Sequence, residues 1–209
     1  MNNQYLLDNR TEIEEYILKK LNIKWSNTNI KINSSRTIGD YNEIYMQESF
    51  KDYLNEKLNI IVSMDDLKES GAKSIEDFQY NNDLLFDAKS CNFEKKGGNS
   101  NLISPFVLLK NLDKNIFYIF AKYIKTDNDI VIKEVMIRRH TEFNYKKMTF
   151  TGSIGRGQIM FNKEKVIEIF HYESLKQMKN IIVNKAIQAN ERVIKSKAKQ
   201  QLELLAMLL

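Results

Sequence analysis

The chain has 209 residues, 28% charged and 43% hydrophobic, with a net charge of +5. That is the composition of a soluble globular protein with one sizeable core, and a single domain is expected over residues 1–209. One cysteine, Cys91, excludes an internal disulfide, and with only His140 and His171 beside it there is no Cys/His zinc set and no basis for Cys-His nucleophilic catalysis.

The N-terminal stretch Met1–Glu15 carries acids rather than a basic segment followed by an apolar core, so no secretory signal is expected. The strongest apolar run, Ile116–Ile124, is interrupted at Lys122 and is too short to span a bilayer. A cytoplasmic location follows as an expectation. Charge is unevenly placed: residues 138–209 hold 14 basic and 6 acidic side chains, and residues 1–137 hold 18 and 21. The basic C-terminal half is the expected nucleic-acid face.

In chain order, Leu7, Ile13, Ile17, Leu18 and Leu21 recur at helical spacing and predict a helix over Gln4–Leu21. Trp25–Ser35, rich in Asn and Ser with Ile30 and Ile32 alternating, reads as a loop or short strand. Asp40 with Glu43 fits a capping pattern that opens a second helix, whose stripe is Met46, Phe50, Leu54 and Leu58. Glu48 lies off that stripe among Tyr41, Ile44 and Tyr45, and Arg36 precedes the helix within reach of a phosphate. Ile60–Met64 reads as a strand, and residues 1–75 form an N-terminal helical part.

A hairpin follows. Phe78 and Tyr80 alternate with polar residues, Asn81-Asn82-Asp83 supplies turn chemistry, and Leu84-Leu85-Phe86 is a strand-type apolar run. A turn centred on Asn82 sets Asp77 opposite Asp87. Facing carboxylates destabilise a sheet unless a cation joins them, which marks the pair as a candidate metal site. Lys89 shares the face of Asp87 because strand side chains repeat every two residues.

Asp87-Ala88-Lys89, an acid two before a lysine on a strand with another acid upstream, resembles the motif of the PD-(D/E)xK nuclease superfamily, which includes most type II restriction endonucleases. The spacing also occurs at Asp66/Lys68 and Glu94/Lys96, but only Asp87/Lys89 follows an apolar strand, a turn and an acid. The proline that the family places before its first acid is missing, since the only proline is Pro105. Glu76, Asp77 and Asp83 therefore compete for the first carboxylate, with Asp77 favoured by its cross-strand position.

The resemblance implies Asp77 and Asp87 as Mg²⁺ ligands together with the backbone carbonyl of Ala88, Lys89 as the residue that positions the attacking water, and Glu48 as an additional acid. It also implies an α/β fold: a mixed central β-sheet flanked by helices, a restriction-endonuclease-like core, with the catalytic sheet over residues 76–140.

Past the hairpin, Glu94–Asn101 is a basic loop whose Lys95 and Lys96 suit a phosphate backbone, and Ser104-Pro105 starts a short helix through Leu112. Ile116–Ile124 reads as a central strand covered on both faces, followed after Asp127-Asn128-Asp129 by a strand over Ile130–Arg138. Arg138 opens the basic half and is a candidate DNA contact.

Residues 141–173 form the expected recognition region. Thr149–Phe161 contains Gly152, Gly155 and Gly157 but matches neither a P-loop nor a dinucleotide fingerprint. Arg156 and Gln158 alternate around Gly157, and both suit contacts to base edges in the major groove. From Ser174, with a Ser174/Gln177 capping box, one long helix runs toward the C-terminus over residues 174–209, with Leu175, Met178, Ile182, Ala186, Ala189, Val193, Leu202 and Leu205 as its apolar side. It packs on the sheet, pairs two subunits or lies along DNA.

The function expected from these readings is Mg²⁺-dependent, sequence-specific cleavage of double-stranded DNA to 5′-phosphate and 3′-hydroxyl ends, by a homodimer with a companion DNA methyltransferase. A structure-specific repair or junction-resolving nuclease, and a non-catalytic DNA-binding regulatory protein, are the alternatives.

Overall fold

The computed structural model describes residues 1–28, 34–63, 67, 77–81, 83–92, 94, 99–126, 129–152, 157–162 and 169–206. The chain divides into two compact units, Met1–Ser100 with Asp113–His140 and Asn101–Leu112 with Thr141–Leu209. The chain leaves the first unit after its second strand, contributes a short segment to the second, and returns.

The first unit is a mixed four-stranded sheet in the order β1-β2-β4-β5, built from β1 Phe78–Tyr80, β2 Leu84–Asn92, β4 Asn115–Lys125 and β5 Ile130–Arg139. β1 and β2 form the antiparallel hairpin, β2 runs parallel to β4, and β4 pairs antiparallel with β5. β4 is buried on both faces as its apolar run predicts, and the lysine that interrupts the run, Lys122, is itself buried and donates to Glu134 at 2.6 Å.

Helices α1 Asn3–Asp8, α2 Arg10–Ser26 and α3 Ser35–Leu58 complete this unit. The helix expected over Gln4–Leu21 is broken at Asn9, whose side-chain amide and backbone N–H both bond to the Tyr5 carbonyl and close the first helix. α2 then continues past the predicted end, through Trp25, which donates to the buried Asn42 at 2.7 Å. Ile30 and Ile32 lie outside the described residues.

α3 begins five residues before Asp40. Ser34 caps it by accepting from the Thr37 N–H at 3.2 Å, so Asp40 and Glu43 are helix-interior residues. Met46, Phe50 and Leu54 are buried on α3 as the stripe predicts, and Phe50 packs on Phe86 with ring centroids 4.6 Å apart.

The strand expected from Ile60 does not form over Ile60–Ser63. Asn59 turns the chain at φ 52, and the Asn55 side chain takes both backbone groups of Val62, at 2.8 and 3.2 Å, in place of a neighbouring strand.

The second unit contains α4 Pro105–Lys110, capped by Ser104, the hairpin of β6 Thr149–Thr151 with β7 Gln158–Asn162, and α5 Leu175–Ala206. Strand β3, Asn99–Asn101, lies beside β7, and the Leu102 N–H donates to the Ile159 carbonyl at 2.7 Å. α4 ends at Lys110, two residues before the predicted Leu112.

Ser174 caps α5 by accepting from the Gln177 N–H at 3.2 Å, while Gln177 returns its side-chain oxygen to the Glu173 N–H. Met178, Ile182 and Ala189 are buried as predicted, but Leu175 and Leu202 are exposed at 53% and 67%. A side chain at Gly152 would put its first carbon 2.2 Å from the Ala189 carbonyl oxygen, so this glycine permits β6 to approach α5. No helix among the described residues is long and apolar enough to cross a membrane.

Candidate metal-dependent active site

Phe78 pairs with Phe86, Gln79 with Leu85 and Tyr80 with Leu84, the register expected for a turn centred on residue 82. Asn81 takes φ 55 in that turn, a left-handed conformation that asparagine tolerates. Stacked Phe78 and Phe86 rings, 5.0 Å apart, anchor the hairpin in the core.

Asp77 leaves the ladder. Its N–H donates to the Phe86 carbonyl at 2.8 Å, and its Oδ2 accepts from the Ala88 N–H at 2.6 Å. The two carboxylates thus meet as the cross-strand argument anticipates, through a side-chain bond to the backbone rather than through a strand pair. Lys89 Nζ donates to Asp87 Oδ1, lies 3.7 Å from Asp77 Oδ2, and contacts the Ala88 carbonyl at 3.2 Å. Asp77, Asp87, Lys89 and the Ala88 carbonyl therefore share one point of the hairpin.

Asp87 is 5% exposed. Burial pushes its carboxyl well above the ordinary carboxylate range; Lys89 opposes this and Asp77 reinforces it. Lys89 is half-buried, and desolvation works against its charge, but Asp87, Asp77 and Glu43 together hold its pKa above the ordinary lysine value. Burial disfavours the charged form of Asp87, and further positive charge brought beside it would offset that penalty.

Those oxygens suit a hard divalent cation. Among the described residues no three His, Cys, Asp or Glu side chains form a ready metal cage. Two carboxylates and a carbonyl are oxygen donors of the kind that hard divalent cations take.

Of the competing acids, Asp83 stands at the turn and accepts from Asn115 at 3.0 Å, and Glu76 lies outside the described residues. Glu48 is not brought to the cluster, because Lys24 on α2 holds its carboxylate at 2.6 Å. The acid of α3 whose charge acts on Lys89 is Glu43, half-buried about 140° around the helix from Glu48. Its sequence signal was its place about 60° from Met46, bordering the buried stripe.

Among the candidate DNA contacts, Arg138 is largely buried and pairs with Glu14 at 3.0 Å. Arg36 lies exposed in the first turn of α3 rather than before the helix. Gln158 opens β7 with its side chain exposed, while its N–H donates to Thr151 Oγ1 at 3.0 Å. Lys95, Lys96 and Arg156 lie outside the described residues.

No family model and no curated protein matches this chain. Among solved structures, the NlaIV restriction endonuclease is similar at 14% identity, over 78% of this chain and 70% of that chain, with a TM-score of 0.49. The functional reading rests on the side chains of the hairpin.

Proposed function

We propose that this protein is a Mg²⁺-dependent endonuclease that cuts double-stranded DNA at a specific sequence, a type II restriction endonuclease acting as a homodimer alongside a protective methyltransferase. The observation that carries the reading is the meeting of Asp77, Asp87 and Lys89 on one hairpin, with Asp87 buried. Two acids and a lysine gathered at Ala88 form a donor set suited to metal-assisted phosphodiester hydrolysis.

Asp77, Asp87 and the Ala88 carbonyl would hold the cation. Mg²⁺ bound there supplies positive charge at the scissile phosphate and a more acidic water. Lys89, kept charged by its three acidic neighbours, orients the attacking water and donates to the phosphate oxygens as charge grows on them. Asp77 fixes the approach of β1 to β2 through the Ala88 N–H, so the two acids keep their separation. In-line attack breaks the P–O3′ bond and leaves 5′-phosphate and 3′-hydroxyl ends. Gln158, exposed at the start of β7, is suited to reading a base edge.

Asp87→Ala tests this reading. It should abolish cleavage while the protein remains folded; a fully active Asp87→Ala protein would overturn the assignment.

A further inference from the structure

Helix α5 carries a second feature that the catalytic hairpin does not use. At about 100° per residue, Lys185, Gln188, Arg192, Lys195 and Lys199 fall within roughly 80° of one another, a single stripe about 21 Å long. Arg192, Lys195 and Lys199 are exposed, and Lys185 is half-buried at the stripe's start.

The N-terminal part of the stripe forms one wall of a cleft of about 500 Å³ lined by Met148, Thr149, Phe150, Lys185, Gln188, Glu191 and Arg192. Lys185 donates to the Lys146 carbonyl at 2.7 Å and lies over the Phe150 ring, while Arg192 reaches toward the Phe150 carbonyl at 3.5 Å. These contacts orient both side chains along the cleft wall.

We propose that this face of α5 binds the phosphate backbone of double-stranded DNA, taking its ligand from the nuclease reading above. Duplex DNA presents about one negative charge per 1.7 Å of axis, so a straight cationic stripe of this length meets a regular anionic one. Gln188 and Thr149 add neutral donors suited to phosphate oxygens. A membrane surface is a poorer match because it favours cations flanked by apolar side chains. The exposed Ile187 and Ile194 lie on the far side of α5, and Leu202 falls past the end of the stripe.

The helix provides its own control. Lys176, Lys179 and Lys197 are exposed on other faces, so replacing them removes the same charge without touching the stripe. The experiment measures binding of the full chain to a short labelled duplex in EDTA across a salt series. Arg192→Ala/Lys195→Ala/Lys199→Ala should weaken binding roughly ten-fold or more and make the log–log salt slope shallower by about 2.7. Lys176→Ala/Lys179→Ala/Lys197→Ala should leave the affinity within roughly three-fold.

Lys195→Gln/Lys199→Gln, which touches only exposed positions, should reproduce about two-thirds of the slope change if the larger replacement fails to fold. Equal losses in the two triple variants, no loss in the stripe variant, or a loss confined to anionic phospholipid vesicles would overturn the proposal. The readout needs no metal, so a protein that binds through this face and never cuts would overturn the nuclease reading alone.

Discussion

The Ala88 N–H donates to Asp77 Oδ2 at 2.6 Å, and this one bond ties an acid that has left the strand ladder to the strand carrying Asp87 and Lys89. On the proposed reading Asp77 has a structural and a chemical task on the same atom. Asp77→Asn retains an oxygen acceptor for Ala88 and should fold with near-native stability while losing cleavage. Asp77→Ala leaves the amide without that acceptor and should lose about 1–3 kcal/mol as well. Urea unfolding and a cleavage assay on both variants separate the two roles.

Glu43 and Glu48 occupy one helix but should behave oppositely. Glu43 supports the charge on Lys89, so Glu43→Gln should reduce cleavage by roughly ten- to a hundred-fold, as expected for groups one step removed from a reacting centre. Glu48 is engaged with Lys24 at 2.6 Å at a partly exposed position, so Glu48→Gln should cost less than about 1 kcal/mol and leave the rate unchanged. Steady-state cleavage rates decide it: a slow Glu48→Gln enzyme beside a normal Glu43→Gln enzyme would reverse the assignment.

Glu14 provides a pH signature distant from the chemistry. Burial raises its pKa above 4.5, and the Ile137 N–H with Arg138 of β5 and Arg10 of its own helix opposes that only in part. The folded state therefore holds the proton more tightly than the unfolded chain. The resulting stabilisation is fully present below the unfolded pKa and is lost as pH rises through the folded value. Glu14→Gln, which keeps an acceptor for Ile137, should flatten stability between the ordinary glutamate value and the raised one. Urea midpoints across that window test this, and a slope unchanged by the substitution would contradict it.

Phe86 joins the core to the site, since it contacts the Phe50, Phe78 and Phe117 rings at 4.6, 5.0 and 5.9 Å and immediately precedes Asp87. Phe86→Ala should destabilise by about 3–5 kcal/mol, measured as a shift in the denaturant midpoint at constant slope.

The hairpin, the central strand, its antiparallel neighbour and the long helix are legible because apolar runs, strand and helix periodicity, turn residues and capping boxes are local signals. Asp87 and Lys89 were legible for the same reason, being two residues apart on one strand. What misled was hydrogen bonding that no periodicity encodes. Asn9 closes a helix against Tyr5, Asn55 satisfies Val62 where a strand was expected, and Ser34 starts α3 before the acid pair that looked like its cap. The resemblance points to Glu48 as an added acid, yet its partner is Lys24, a residue on another helix. Arg138 was read from charge alone, and Glu14, more than a hundred residues earlier in the chain, claims it.

The most direct test is to incubate the purified protein with unmethylated plasmid or phage DNA, in Mg²⁺ and in EDTA, beside Lys89→Ala. The account predicts discrete fragments that require Mg²⁺ and are absent with the variant. DNA left intact in every divalent metal tried, or fragments equally strong with Lys89→Ala, would contradict it.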